Sequence, residues 1–163
     1  MRNKKPLIKT IFWLLIFVVL IYNPVSVRVY VLFAAIIFDL NVKFFYNQIK
    51  AESSFKSLAY SRVGAIGPGQ IRTQTSGYIS PKIHTTFLWV PFVNVYISAK
   101  YMKYLLKKYH NNQSLAIVAY NWGETNVDKK IKNIKIDRNK NYGRMFKNIP
   151  ESYKYLKKIM GKK

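Results

Sequence analysis

An uninterrupted apolar run, Ile11 to Tyr22, stands directly behind the basic stretch MRNKKPLIKT. Counted from Leu7, with Lys9 able to reach the interface along its own stem, the run approaches the roughly 20 residues that cross a hydrocarbon layer. No small-residue cleavage pattern follows closely, so it reads as an uncleaved anchor rather than a removed signal peptide. A buried core helix is the alternative. The short basic flank Arg2, Lys4 and Lys5 favours a cytoplasmic N-terminus, because long domains cross membranes largely regardless of their own charge. A second apolar run, Val25 to Phe38, is short, contains Arg28 and ends at Asp39. It reads as the first helix of the folded domain, packed close to the anchor, in preference to the second arm of a membrane hairpin. The expected division is residues 1–24 as basic flank and single transmembrane anchor, and 25–163 as one folded domain.

Downstream the pattern is helical and the strand signal is poor, so the domain is expected to be mostly α. Phe44, Phe45, Ile49 and Phe55 fall near helix spacing, and a turn rich in glycine follows at Gly64, Gly67 and Gly69, with Pro68 inside it. Residues 76–92 read as irregular, punctuated by Gly77, Pro81 and Pro91. Asn94 reads as the cap of a helix running to about Tyr109. A further helix spans Ser114 to Tyr120 and stops at Gly123. Residues 128–148 read as a solvated segment, and Pro150 opens a last helix from Glu151 to about Met160.

Charge narrows the chemistry. The chain holds 28 Lys and Arg against 6 Asp and Glu, a formal net charge of +22, and no cysteine. Disulfides and thiolate metal sites are therefore absent. A field of this size attracts polyanions, whether nucleic acid, anionic lipid or acidic wall polymer, and does not choose among them. Carboxylate chemistry must come from Asp39, Glu52, Glu124, Asp128, Asp137 or Glu151. Glu52 follows Ile49 and Ala51 and precedes Phe55. Burial in such company disfavours the charged form, and a carboxyl that keeps its proton near neutral pH can donate it to a leaving oxygen. The local composition alone fits equally a Glu at a helix end that meets water.

The segments around Glu52 add information. Gln48-Ile-Lys-Ala-Glu52-Ser-Ser-Phe55 is followed by Ala59-Tyr-Ser61, Gly64-Ala-Ile-Gly67 and Gln70-Ile71. Further on come Asn94-Val95 with Ala99 and Tyr101, then Ala119-Tyr120-Asn121-Trp122-Gly123, then Pro150-Glu151-Ser152 with Tyr155 and Ile159. This order resembles the signature of the lytic transglycosylases of the goose-type-lysozyme-like superfamily over roughly residues 28–160. Any one block alone would be weak. The sequence departs from that pattern at Pro68-Gly69, where a Leu-Met or Val-Met pair is usual, at Thr73 in place of Pro, and at Trp122 and Glu124. These changes bear on the shape of the sugar subsites.

The resemblance implies a lysozyme-like α domain; with the expected anchor, it would stand behind one transmembrane helix, facing the periplasm or wall from the bacterial inner membrane, or act there as a phage or mobile-element product. It implies cleavage of the MurNAc–GlcNAc bond of peptidoglycan with Glu52 as catalytic acid and base and a 1,6-anhydro product, with no metal or cofactor. Ser53 would orient Glu52 or touch the acetamido group, or simply cap the helix end. Gln70 would bind the sugar, Tyr120 and Asn121 would line the groove, and Tyr155 would hydrogen-bond Glu52. Tyr120 as plain core is the alternative for that residue. Trp89 and Phe92 would cover the groove or anchor their loop, and His84 receives no role. Glu124 is the one acid considered as a second carboxylate, which keeps lysozyme-type hydrolysis open. A non-catalytic wall-binding scaffold in a secretion or phage system is the other alternative. Expected partners are glycan strands, the membrane through the N-terminal helix and, as an open option, a larger envelope assembly. No motif for nucleic acid is present.

Overall fold

The computed structural model describes residues 5–161, which form eight α-helices with no strand among them. They are α1 Lys5–Ile21, α2 Pro24–Ile37, α3 Val42–Ser53, α4 Thr73–Ile79, α5 Pro91–Lys108, α6 Gln113–Trp122, α7 Glu124–Ile131 and α8 Pro150–Met160. Two 3₁₀ turns, Thr85–Trp89 and Gly143–Phe146, lead into α5 and α8. Arg2 and Lys4, which carry the orientation argument, lie outside the described residues.

Asparagine starts three of the helices. The Asn23 side chain accepts from the Val25 and Ser26 amides, Asn41 from Phe44 at 2.9 Å, and Asn112 from Leu115 at 3.0 Å. Each satisfies amides that a helix N-terminus leaves without a partner. Pro24, Pro91 and Pro150 stand in the first turn of their helices, where a missing N–H costs nothing. α3 stops where Ser54 and Phe55 both adopt left-handed backbone, with φ of +54° and +66°. A phenylalanine there is a strained choice, so the turn immediately after Glu52 is held by its surroundings rather than by local preference.

The centre of the domain is α6, whose Leu115 to Ala119 are wholly buried. α5, α7 and α8 surround it, and α3 packs between α2 and α8. α2 buries Val27, Val31, Ala34 and Ala35 against α3 and α5, so the second apolar run is indeed a helix of the domain.

Three expectations change. Asn94 is not a cap: α5 begins at Pro91, and Asn94 is a fully buried residue inside it. Residues 76–92 are not wholly irregular, because α4 continues to Ile79 and a 3₁₀ turn follows. The segment 128–148 is not simply solvated. Ile131, Tyr142 and Phe146 are buried, and Asn112 donates to the carbonyls of Asp137 and Lys140 at 2.8 Å each, fastening this loop to the start of α6. As to the anchor, no single helix among the described residues is long and apolar enough to cross a membrane alone, and Ile8–Ile21 and Pro24–Ile37 pass that test together as a pair bent by 57°.

Candidate active site

Packing of α3 against α8 brings Glu52, on the last turn of the former, to Tyr155 on the latter. The Tyr155 hydroxyl donates to Glu52 Oε1. Burial pushes the Glu52 carboxyl up to about 7, opposed by the Tyr155 hydrogen bond and the positive charge of Lys158 and assisted by the negative charge of Glu151. The dominance of desolvation is the physical point, since water that would stabilise the carboxylate is excluded. Lys158 reaches the site by donating to the Ala51 carbonyl at 3.0 Å.

A second tyrosine closes the other side. Tyr120, near the end of α6, donates to the Gly69 carbonyl at 2.8 Å. Burial and then the Glu52 charge raise the Tyr120 and Tyr155 hydroxyls well above their ordinary range, so both remain protonated donors. The turn that Tyr120 grips is itself clasped by Asn94. Asn94 Oδ1 accepts from the Gly69 amide at 2.8 Å, and its Nδ2 donates to the carbonyls of Ile66 at 2.8 Å and Leu88 at 3.0 Å. Gly69 presses so closely on Ser98 that a Cβ there would collide with the serine hydroxyl. This gives the unusual Pro68-Gly69 pair a steric reason: the turn lies flat on α5, where a bulkier residue has no room.

The other expected residues occupy different positions. Ser53 is buried, and its hydroxyl stands 3.5 Å from the Ile49 carbonyl of its own helix, a weak contact. Gln70 adopts left-handed backbone with φ of +51°, and its side chain donates to the Gly67 carbonyl at 3.0 Å. Asn121 accepts from the Ser152 hydroxyl at 2.8 Å and so joins α6 to α8. Trp89 stacks on Tyr60, with centroids 5.7 Å apart, while Phe92 meets Tyr30 of α2 edge-on. Glu124 is committed elsewhere: Lys108 bonds it at 2.6 Å and Tyr104 at 2.9 Å, and Lys108 also binds Asp128 at 2.7 Å.

Three contributors escaped the sequence reading. Lys158 lies three residues after Tyr155, a spacing that shares a helix face and could have been noticed. Gln48 lies one turn before Glu52 on α3, is fully buried, and faces the Tyr120 hydroxyl. Ser98, whose hydroxyl donates to the Asn94 carbonyl at 2.7 Å, carries no local signal.

A row of tyrosines runs outward from this site. Tyr120 tilts on Tyr101 at 5.0 Å, Tyr101 stacks on Tyr104 at 6.3 Å, and Tyr104 meets Tyr78 edge-on at 5.7 Å.

Comparison with known proteins agrees with this geometry. Among solved structures the chain is similar to an inactive Glu→Gln mutant of the lytic transglycosylase Slt from Pseudomonas aeruginosa, with 26% identity and a TM-score of 0.70 over 82% of this chain and 22% of that one. It is also similar in fold to the 70 kDa soluble lytic transglycosylase SLT70 from Escherichia coli, with 23% identity and a TM-score of 0.62 over 74% of this chain and 21% of that one. The chain thus spans about a fifth of the length of each. The model of the transglycosylase SLT domain matches residues 30–142, a stretch that holds Glu52, the Asn94-clasped turn and Tyr120. This chain belongs to the transglycosylase SLT domain family.

Proposed function

We propose that the chain is a membrane-anchored peptidoglycan lytic transglycosylase that works with one carboxylate, Glu52. The observation that carries this reading is the Glu52 carboxyl itself. It is pushed up to about 7 by burial, is bonded by Tyr155, and stands in the last turn of α3. At neutral pH it holds its proton for a useful fraction of the time, which suits a general acid.

In the reaction, Glu52 gives its proton to the oxygen between N-acetylmuramic acid and N-acetylglucosamine, and the glycosidic bond breaks. The neighbouring acetamido group stabilises the cationic carbon. Glu52, now a carboxylate, takes the proton of the sugar's own 6-hydroxyl as that oxygen bonds to the anomeric carbon, closing a 1,6-anhydro ring. The nucleophile is tethered to the carbon it attacks, which removes most of the entropic barrier of an intermolecular step. Most glycosidases employ a second carboxylate. Glu124, the acid considered for that role, is locked in an ion pair with Lys108, which favours the single-carboxylate route. α1, whose exposed side chains from Ile11 to Leu20 are all apolar, supports anchoring in a membrane.

Digestion of purified peptidoglycan by the wild type and by Glu52→Gln, followed by mass analysis, tests the proposal. Anhydro products, one water lighter than hydrolysed ones, are expected from the wild type and none from the variant. Reducing-end products would establish lysozyme-type hydrolysis instead. Binding of glycan without cleavage by the wild type would establish a scaffold.

A further inference from the structure

The corner between α1 and α2 is built in a way that water-exposed helix ends are not. A helix leaves its last carbonyls without partners, and at a protein surface water supplies them. Here side chains supply them. Val19 O accepts from Asn23 Nδ2 at 3.0 Å, and Leu20 O accepts from Asn23 Nδ2 at 2.9 Å and also from the Ser26 hydroxyl. Ile21 O accepts from the Tyr30 hydroxyl at 3.4 Å, and Tyr22 O from the Ser57 hydroxyl at 2.6 Å. The same Asn23 caps the start of α2 through its oxygen. A chain break closed this completely is what an apolar medium demands, because a bare carbonyl there costs several kcal/mol.

The surface beyond the corner is consistent with this. α2 buries Val27, Val31, Ala34 and Ala35, yet its opposite side presents Val25, Val29, Leu32, Phe33 and Ile36, with Phe33 62% and Ile36 70% exposed. Apart from Arg28, whose guanidinium lies over the ring of Phe55, α2 carries no charge, and a helix apolar on both its buried and its exposed side belongs in a core or in lipid. Beside it, Tyr30, Phe33 and Ile37 form a groove of about 310 Å³ with Phe92 and Tyr96 of α5 and Ile83 of the preceding loop. The face is continuous with α1, whose exposed apolar side chains need the same cover. The sequence carries no acid from residue 1 to 38 or from 53 to 123, and Asp39, at the far end of α2, is paired with Lys103 at 3.1 Å. The chain beside this face therefore suits an anionic surface. With a bend of 57°, the far end of the 14-residue α2 stands only about 11 Å further along the direction of α1 than its start, so α1 and α2 together rise about 37 Å, within the roughly 40–45 Å of a bilayer with its headgroups.

We propose that the outer face of α2, with the groove it forms against α5, lies in the boundary lipid of an anionic bilayer, so that the domain rests on the membrane instead of hanging from it. This rests on the anchoring in the preceding reading but not on the chemistry at Glu52. The protein contains no cysteine, so single Phe33→Cys, Ile36→Cys, Leu15→Cys and Lys132→Cys variants of the full chain can each carry one nitroxide label. They are reconstituted in vesicles of phosphatidylcholine and phosphatidylglycerol, and relaxation by oxygen is compared with relaxation by a water-soluble nickel chelate. The expected result is that labels at 33 and 36, like that at 15, are relaxed by oxygen and shielded from nickel, while that at 132 stays open to nickel. In phosphatidylcholine alone the α2 labels should move toward nickel. Two sites on α2 keep the test open if one variant misfolds. Nickel-accessible labels on α2 with a lipid-buried label at 15 would overturn this inference and leave the simple anchor. A nickel-accessible label at 15 would overturn the anchor as well. Labels at 33 that broaden one another would show that a second copy covers the face, and would also overturn it.

Discussion

The Tyr155 hydroxyl and the Glu52 carboxyl meet across 103 residues of chain. The bond is possible only once α3 and α8 have packed, so the acid is not completed by its own segment. Because a hydrogen bond to the charged form stabilises that form, Tyr155 restrains the rise that burial imposes on Glu52. Glu52→Gln should reduce wall cleavage by roughly 10²–10⁴-fold or more, the scale of general acid catalysis. Tyr155→Phe should lower kcat by roughly 10–100-fold, the worth of one hydrogen bond to a charged group. It should also move the alkaline limb of the pH profile upward.

Two charged neighbours should move that limb in opposite directions. A general acid must hold its proton, so activity falls as pH rises through about 7. Lys158 lowers the Glu52 value and Glu151 raises it. Lys158→Met should shift the limb to higher pH, and Glu151→Gln to lower pH. A purely structural role for either residue would lower the rate without displacing the profile. Both effects should shrink at high salt, where exposed charges are screened.

Glu52 should also oppose folding at alkaline pH. Its native value near 7 lies above the ordinary 4.5, so the folded state favours the protonated form. Whatever stability that proton contributes is fully present below about 4.5 and lost as pH rises through about 7. Glu52→Gln should therefore melt at a higher temperature than the wild type above neutrality, with a gain of up to about 3 kcal/mol, and show little difference in mild acid. Calorimetry across the pH range measures this directly.

The turn on α5 offers a steric test. Gly69→Ala places a methyl on the Ser98 hydroxyl and should destabilise by about 1–3 kcal/mol, as overpacking does. Adding Ser98→Gly should restore much of the loss. Asn94→Ala leaves the Gly69 amide and the Ile66 and Leu88 carbonyls without their partner, so a loss of about 3 kcal/mol is expected in denaturant melts.

The helices expected at Ser114–Tyr120 and Glu151 to about Met160, observed as Gln113–Trp122 and Pro150–Met160, were readable in the sequence because glycine stops and first-turn prolines act over a few residues. The role of Asn94 was not readable. An asparagine near a helix start signals a cap by local rules, and only the arrival of the Gly67–Gly69 turn turns it into a buried clasp. Tyr142 and Phe146 were hidden for a related reason, since isolated aromatics among lysines read as solvated until the Asn112 side chain draws their loop inward. At the site, Glu52 and Tyr155 could be paired in advance through the family pattern. Lys158 and Gln48 required the helices to be placed side by side.

The hydroxyl of Ser57, five residues beyond Glu52, is fixed to the Tyr22 carbonyl, and Arg28 lies over the ring of Phe55 at 5.1 Å. The loop that carries the chain away from the acid is therefore bolted to the corner that leaves α1, with only Tyr22 and Asn23 between the two helices. A flexible stalk would let an enzyme sweep a volume of wall. Under the proposed anchoring, a mount this short would hold the domain within one domain diameter, roughly 35–40 Å, of the membrane that holds α1. Such a cutter would select its strands by altitude and angle, trimming those laid closest to the membrane and leaving the outer layers beyond its arc.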